Sequence, residues 1–302
     1  WEKTVTRQAR WVDFTNDYKT MDPSYMESVM WAFKQLWEKG LIYEAFRVMP
    51  YSWGAETPLS NFEIRLDDAT RPRQDPAITV AFDLEPRTDD PGPMRLLAWT
   101  TTPWTLPSNL AVGVGPDVDY VLRRDPNGFV YVLGAAAQER YETELAGTED
   151  LGVVKGAELV ERSYQPLFDF FADRTDAFRV LGADWVNAAE GTGVVHMAPG
   201  FGEEDQVLCE ANDIPIGGVV PVDDRGRFTE DIPEWAGVNV FEANPQIIST
   251  LAEAGRLIRH DSYEHNYPHC WRTDTPIIYK AISSWYVRVT DLKEQLLANN
   301  QT

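Results

Sequence analysis

Two short stretches concentrate the side chains that can do chemistry. The first is Trp99-Thr100-Thr101-Thr102-Pro103-Trp104-Thr105-Leu106-Pro107-Ser108-Asn109. Three successive hydroxyls can donate to and accept from a ligand in several directions. Pro103 pushes Thr102 out of the helical region, so the chain must turn there. Two indoles can wall a small apolar pocket. The same residues also describe a β-rich turn, with threonines placed by strand propensity and tryptophans packed inside. The second stretch is Gly191-Thr192-Gly193-Val194-Val195-His196-Met197-Ala198-Pro199-Gly200-Phe201-Gly202-Glu203-Glu204-Asp205. It reads as a strand, a glycine-rich turn and the acidic start of a helix. Carboxylates in a first turn suit the helix dipole and need no ligand. Asp205 can equally seize an ammonium group, and His196 can either be satisfied within its strand or donate to an ester or ribose oxygen.

Other chemistries find no support. The glycines lack the lysine that completes a phosphate-cradling loop, and neither a serine nucleophile elbow nor a histidine-rich zinc helix motif occurs. Tyr267-Pro268-His269-Cys270-Trp271 offers one His and one Cys. Cys209 and Cys270 are the only cysteines, and neither belongs to a CxxC pair, so no metal site and no disulfide framework are expected. That cysteine usage suits a reducing, cytoplasmic setting. The chain carries 27 Lys and Arg against 48 Asp and Glu, a net charge of −21, which disfavours non-specific grip on a phosphate backbone. No apolar run reaches membrane-spanning length, and the opening Trp1-Glu2-Lys3 carries no leader, so a piece of something longer is expected.

These stretches need elements to hold them. Asp22-Pro23-Ser24 starts a helix whose Met26, Val29, Met30, Phe33, Leu36 and Trp37 form an apolar stripe, with Gly40 as its stop. The stripe is expected to pack into a core. Strands follow at 41–43 and 47–51. Strands are also expected at 78–84, 94–99, 120–122, 129–133, 178–186 and 193–197, with Pro126-Asn127-Gly128 as a hairpin turn. Helices are expected at 135–145, 203–212 and 244–254, then again at 292–297 after two apolar runs in 277–289. Many short strands with few helices predict an α+β, mainly β fold: a closed or nearly closed β-barrel with decorating helices. Helix-bearing ends around a β-rich middle are the pattern of an inserted domain.

Taken together, WTTTPWTLPSN at 99–109 and GTGVVHMAPGFGEED at 191–205 resemble the two signatures of the editing (connective polypeptide) region of class I isoleucyl-tRNA synthetases. Asn61 within Pro58–Glu63, and Tyr267–Trp271 with Thr275–Tyr279, are similar to the flanks where that region leaves and rejoins the catalytic domain. The resemblance implies a Rossmann-type catalytic flank over 1–60, an editing β-barrel over 61–256 and a return segment over 257–302. Valyl and leucyl relatives carry a motif more like TTRP, so Thr102-Pro103-Trp104 and His196 point to isoleucine as cognate and valine as the amino acid to be removed. Implied roles follow from the matching positions. Asp205 binds the α-ammonium, and Thr100, Thr101 and Thr102 contact the ester, adenosine and attacking water. His196 borders the side-chain pocket and the ribose, with Trp99, Trp104, Asn109, Gly193, Ala198 and Pro199 completing the binding surface.

The implied reaction is hydrolysis of misacylated Val-tRNA(Ile), and of valyl-adenylate as a further substrate. The alternative is a non-catalytic module binding aminoacyl-nucleotide or tRNA; an inert structural insert is a third. No cofactor is implied for editing. ATP and Mg belong to the parent synthetase, and neither HIGH nor KMSKS occurs in this chain. Cysteines that relatives often carry are replaced in Tyr51-Ser52-Trp53-Gly54-Ala55, which implies loss of a zinc. The expected partners are the valine-charged 3′-end of tRNA(Ile) and the remainder of the synthetase, with no membrane.

Overall fold

The computed structural model describes residues 1–189 and 191–301. Two compact units emerge: one is Trp1–Phe46 with the chain from Ser283 onward, and the other is the continuous segment Arg47–Ile282. The larger unit is therefore inserted, in sequence, between the two parts of the smaller.

The smaller unit holds helices α1 (Glu2–Arg7) and α2 (Pro23–Glu38) and the first half of strand β1 (Ile42–Ser52). Pro23 opens α2 with a preset φ, and Gly40 ends the helix region at φ +69°. The apolar stripe of α2 does not form a core, contrary to expectation. No residue of α2 is buried, and Met30 is 71% and Trp37 53% exposed. Trp285 meets Phe33 and Trp37 edge to face, but one indole cannot cover a helix of 16 residues, more than four turns.

Strands of the larger unit are β2 (Thr57–Pro58), β3 (Thr70–Asp83), β4 (Met94–Thr100), β5 (Ala111–Val114), β6 (Asp119–Arg124) and β7 (Val130–Gly134). They continue as β8 (Glu149–Lys155), β9 (Arg179–Gly182), β10 (Val194–Met197) and β11 (Leu257–Pro268). Its helices are α3 (Gly156–Leu159), α4 (Glu203–Ala211) and α5 (Val240–Glu253); strand β12 (Ile278–Val287) returns to the smaller unit, which ends in α6 (Lys293–Asn299). The fold is mixed α and β, with three sheets: β11-β3-β4-β7-β6-β8, β10-β5-β9 and β12-β1-β2. None closes. Of the expected closed or nearly closed barrel, closure is not found, because β11 and β8 remain at opposite edges of the six-stranded sheet and β5, β9 and β10 pair among themselves.

Burial explains the texture of these strands. Ile78, Val80, Phe82, Leu96 and Ala98 face the main core shared with Val112, Val180, Met197 and α5. Ala81, Leu97, Val121 and Leu133 face the opposite side, beneath Tyr141 and Leu145. A sheet covered on both faces loses period-two alternation and reads as a nearly continuous apolar run. The segment expected as a helix at 135–145 is a 3-10 helix only over Ala135–Tyr141, followed by turns. The expected strand at 178–186 is shortened to Arg179–Gly182, and the helix expected from 244 starts at Val240, because Asn239 caps it by accepting from Phe241 N–H. At Pro126-Asn127-Gly128, β6 and β7 form the expected hairpin, with Asp125 accepting from the backbone of Asn127 and Phe129. Among the described residues, no helix is long and apolar enough to cross a membrane.

Candidate functional site

Strand β4 ends at Thr100, and the chain then turns through a 3-10 helix, Pro103–Ser108, whose residues are all buried. The turn brings its hydroxyls together. Thr102 N–H donates to Thr100 Oγ1 at 3.1 Å, and the Thr100 and Thr102 oxygens lie 3.2 Å apart. Thr105 Oγ1 donates to Thr102 O at 2.8 Å and lies 3.3 Å from Thr102 Oγ1. Thr101 is half-buried, and its hydroxyl has no hydrogen bond among the described residues.

The second stretch meets the first through a histidine. Strand β10 pairs antiparallel with β5, placing His196 opposite Val112 and Met197 opposite Ala111. His196 Nε2 lies 2.8 Å from Thr105 Oγ1, and Nδ1 lies 3.0 Å from Asn109 Nδ2. The Asn109 amide also donates to Ala111 O at 2.7 Å and reaches Met197 O at 3.3 Å, while its Oδ1 accepts from the Tyr164 hydroxyl at 2.6 Å. Burial alone drives the His196 pKa down to about 3, so the ring is neutral at pH 7. Both of its nitrogens are engaged within the chain.

Asp205 sits in the first turn of α4 and accepts from Ala198 N–H at 2.9 Å, two residues beyond His196. Its carboxylate folds back over Gly202. A Cβ at Gly202 would lie 2.4 Å from Asp205 Oδ2, so any larger residue there displaces the carboxylate from this position. Burial raises the Asp205 pKa to about 6, opposed by the Ala198 N–H and reinforced by Glu204. No cationic side chain is found against Asp205 in any salt bridge of the described residues, so its half-buried charge is compensated by one backbone donor. A desolvated carboxylate in that state is suited to an incoming ammonium.

The structure thus joins Thr100, Thr102, Asn109 and His196 in one hydrogen-bonded group and ties Ala198 to Asp205. It places the remaining sequence-selected residues elsewhere. Trp104 is 3% exposed and packs edge to face on Phe201 at 5.1 Å, with an indole N–H that finds no acceptor among the described residues. Pro199 is buried beside Ala198. The Gly193 carbonyl accepts from the buried Tyr120 hydroxyl at 2.6 Å. Trp99 points to the face of β4 opposite Thr100, where it meets Tyr263 edge to face and lines cavities of about 690 and 500 Å³ with Arg140 and Gly193 respectively. Thr105 and Tyr164 escaped sequence reasoning. The spacing of three from Thr102 on a turn was a usable signal for Thr105; nothing local marked Tyr164. Among the described residues no group of three or more His, Cys, Asp or Glu could hold a metal ion.

Comparison with known proteins shows the family of the chain. The family model for tRNA synthetases class I (I, L, M and V) matches residues 1–302. An isoleucine–tRNA ligase of Rickettsia canadensis is 53% identical over 305 residues, covering 100% of this chain and 28% of that protein. The Rickettsia conorii isoleucine–tRNA ligase is 54% identical over 307 residues, with the same coverage of 100% and 28%. The chain therefore spans little more than a quarter of the length of the curated relatives it matches. Among solved structures, GlLeuRS-CP1 is similar with a TM-score of 0.49 and 14% identity, over 61% of this chain and 98% of that one. The Plasmodium knowlesi cytosolic leucyl-tRNA synthetase editing domain gives 0.46 and 10% identity, over 64% and 97%.

Proposed function

The chain belongs to the class I tRNA synthetases, and from that premise we propose that Arg47–Ile282 is a proofreading unit that hydrolyses valine from misacylated tRNA(Ile). The observation that carries this reading is the Thr105–His196 contact at 2.8 Å, which closes the hydroxyl loop onto the segment bearing Asp205. A pocket for isoleucine separates valine by only about 1–3 kcal/mol; synthetases of this kind are the standing illustration of that limit. A second site that rejects the larger side chain by overlap can be far more selective, because packed walls resist an added methylene.

In this reading Asp205 holds the α-ammonium by a charge-assisted hydrogen bond. The Thr101 hydroxyl, unengaged among the described residues, and the oxygens of Thr100 and Thr102 hold the ester end and place a water. An aminoacyl ester is already labile, so positioning supplies most of what is needed. His196 is a poor base, since burial lowers its pKa to about 3 and both of its nitrogens are engaged. That same lack of a base favours a second reading, a module that binds the aminoacylated 3′-end without cleaving it. The partners in both readings are tRNA(Ile) and the remainder of the synthetase. Incubating the protein with Val-tRNA(Ile) and Ile-tRNA(Ile) tests them. Release of valine but not isoleucine is expected; binding without release selects the second reading, and neither overturns both.

A further inference from the structure

We infer that Tyr164, Asn109 and Thr105 lock His196 in the Nε2–H tautomer and that this relay, not contact with substrate, is how the histidine serves the hydroxyl loop. The assignment follows from which atoms can only donate or only accept. Ala111 O at 2.7 Å and Met197 O at 3.3 Å are acceptors, so the Asn109 atom facing them is the NH2. The Oδ1 atom is then left to receive the Tyr164 hydroxyl, at 2.6 Å. Of the two NH2 hydrogens one goes to Ala111 O, and the other is shared between Met197 O and His196 Nδ1, 3.0 Å away; an amide nitrogen does not accept, so Nδ1 is the acceptor and the ring proton resides on Nε2.

That proton points at Thr105 Oγ1, 2.8 Å away. Thr105 is then an acceptor from the ring, and its own hydrogen goes to Thr102 O at 2.8 Å. The remaining lone pair of Thr105 faces Thr102 Oγ1 at 3.3 Å and can receive that hydroxyl. Donors therefore run inward from Thr102 to Thr105; the Thr100 hydroxyl, 3.2 Å away, is then the donor to Thr102 Oγ1, which keeps one lone pair for a ligand. A hydroxyl held this way accepts from a water or a sugar hydroxyl. Tyr164, Asn109 and Thr105 are thus positioning residues, and Tyr164 acts through Asn109, 55 residues away in sequence.

The tautomer stands whatever the loop binds; its service to hydrolysis rests on the reading proposed above. Imidazole nitrogen NMR of the full chain separates the two. The signal of His196 is identified by its loss in His196→Gln, among four histidines. Expected are a pyridine-type Nδ1 and a pyrrole-type Nε2, unchanged from about pH 8 to about pH 5, where an ordinary histidine titrates. A pyrrole-type Nδ1, or titration across that range, overturns the inference. Thr105→Ala should change the Nε2 proton resonance and lower the rate constant for Val-tRNA(Ile) cleavage by about tenfold, the scale of one lost buried hydrogen bond, at unchanged KM. Thr105→Ser should restore both. Tyr164→Phe should move the Nδ1 resonance; an unmoved resonance removes Tyr164 from the relay. If the resonances behave as stated and no cleavage occurs in the parent chain, the hydrolytic reading falls and the tautomer stands.

Discussion

His196 and Asp205 lie nine residues apart on one segment, and burial acts on both, yet the structure treats them oppositely. The histidine is satisfied on both nitrogens and forced neutral; the carboxylate keeps one backbone donor and a pKa raised to about 6. A buried polar group with every partner in place specifies structure, whereas one left short of partners is held ready for something else. In the proposed reading the contrast gives each its work: His196 holds the loop, and Asp205 receives the ammonium.

The sharpest way to break that contrast is Asp205→Ala. Removing the only carboxylate proposed for the ammonium should cut valine release by about a hundredfold or more, the scale of a charge-assisted contact in a desolvated site. Measured single-turnover deacylation that stays near the parent rate would leave Asp205 a helix-end carboxylate and nothing more.

Stability supplies the next test, with a definite sign. Asp205 has a folded-state pKa of about 6 against an ordinary 3.8, so the folded chain binds more protons than the unfolded one between these values. Its burial cost is therefore absent below about pH 4 and fully present above about pH 6. Asp205→Asn should then be more stable than the parent by about 2–3 kcal/mol at pH 8, and equal to it near pH 3.5. Urea melts at both pH values check this. The same ionisation predicts that KM for Val-tRNA(Ile) rises by about tenfold per unit as pH falls below 6. A flat profile would show that the ionised carboxylate does not hold the substrate.

How much of this was legible beforehand depends on the range of the contacts involved. The hydroxyl loop, the turn at Pro103, the helix start around Glu203–Asp205 and the hairpin at Asn127-Gly128 are local, and residue types announce them. The relay depends on Tyr164 meeting Asn109 and Thr105 meeting His196, at separations of 55 and 91 residues, and no local pattern encodes those. Strands β8 and β11 were unreadable for a different reason. Both are sheet edges with largely exposed, polar residues, so they lack the apolar alternation that marks a half-buried strand. The stripe of α2 failed in the opposite direction: its periodicity correctly gives a helix, but periodicity says only that a face is apolar, not that this chain contains what covers it.

The smallest predicted effect isolates the geometry at Asp205 from its charge. Gly202 has φ −124° and ψ 129°, extended values that any residue adopts, so alanine there meets no backbone strain. What its Cβ meets is the Asp205 carboxylate, at 2.4 Å from Oδ2. Gly202→Ala should therefore leave stability within about 1 kcal/mol of the parent, the range of N-cap substitutions, while swinging the carboxylate off the Ala198 N–H. Valine release should fall by about tenfold, a smaller loss than in Asp205→Ala because the charge remains nearby. If stability and cleavage instead fall together, the carboxylate was capping the helix; if cleavage alone falls, its position was set for a ligand.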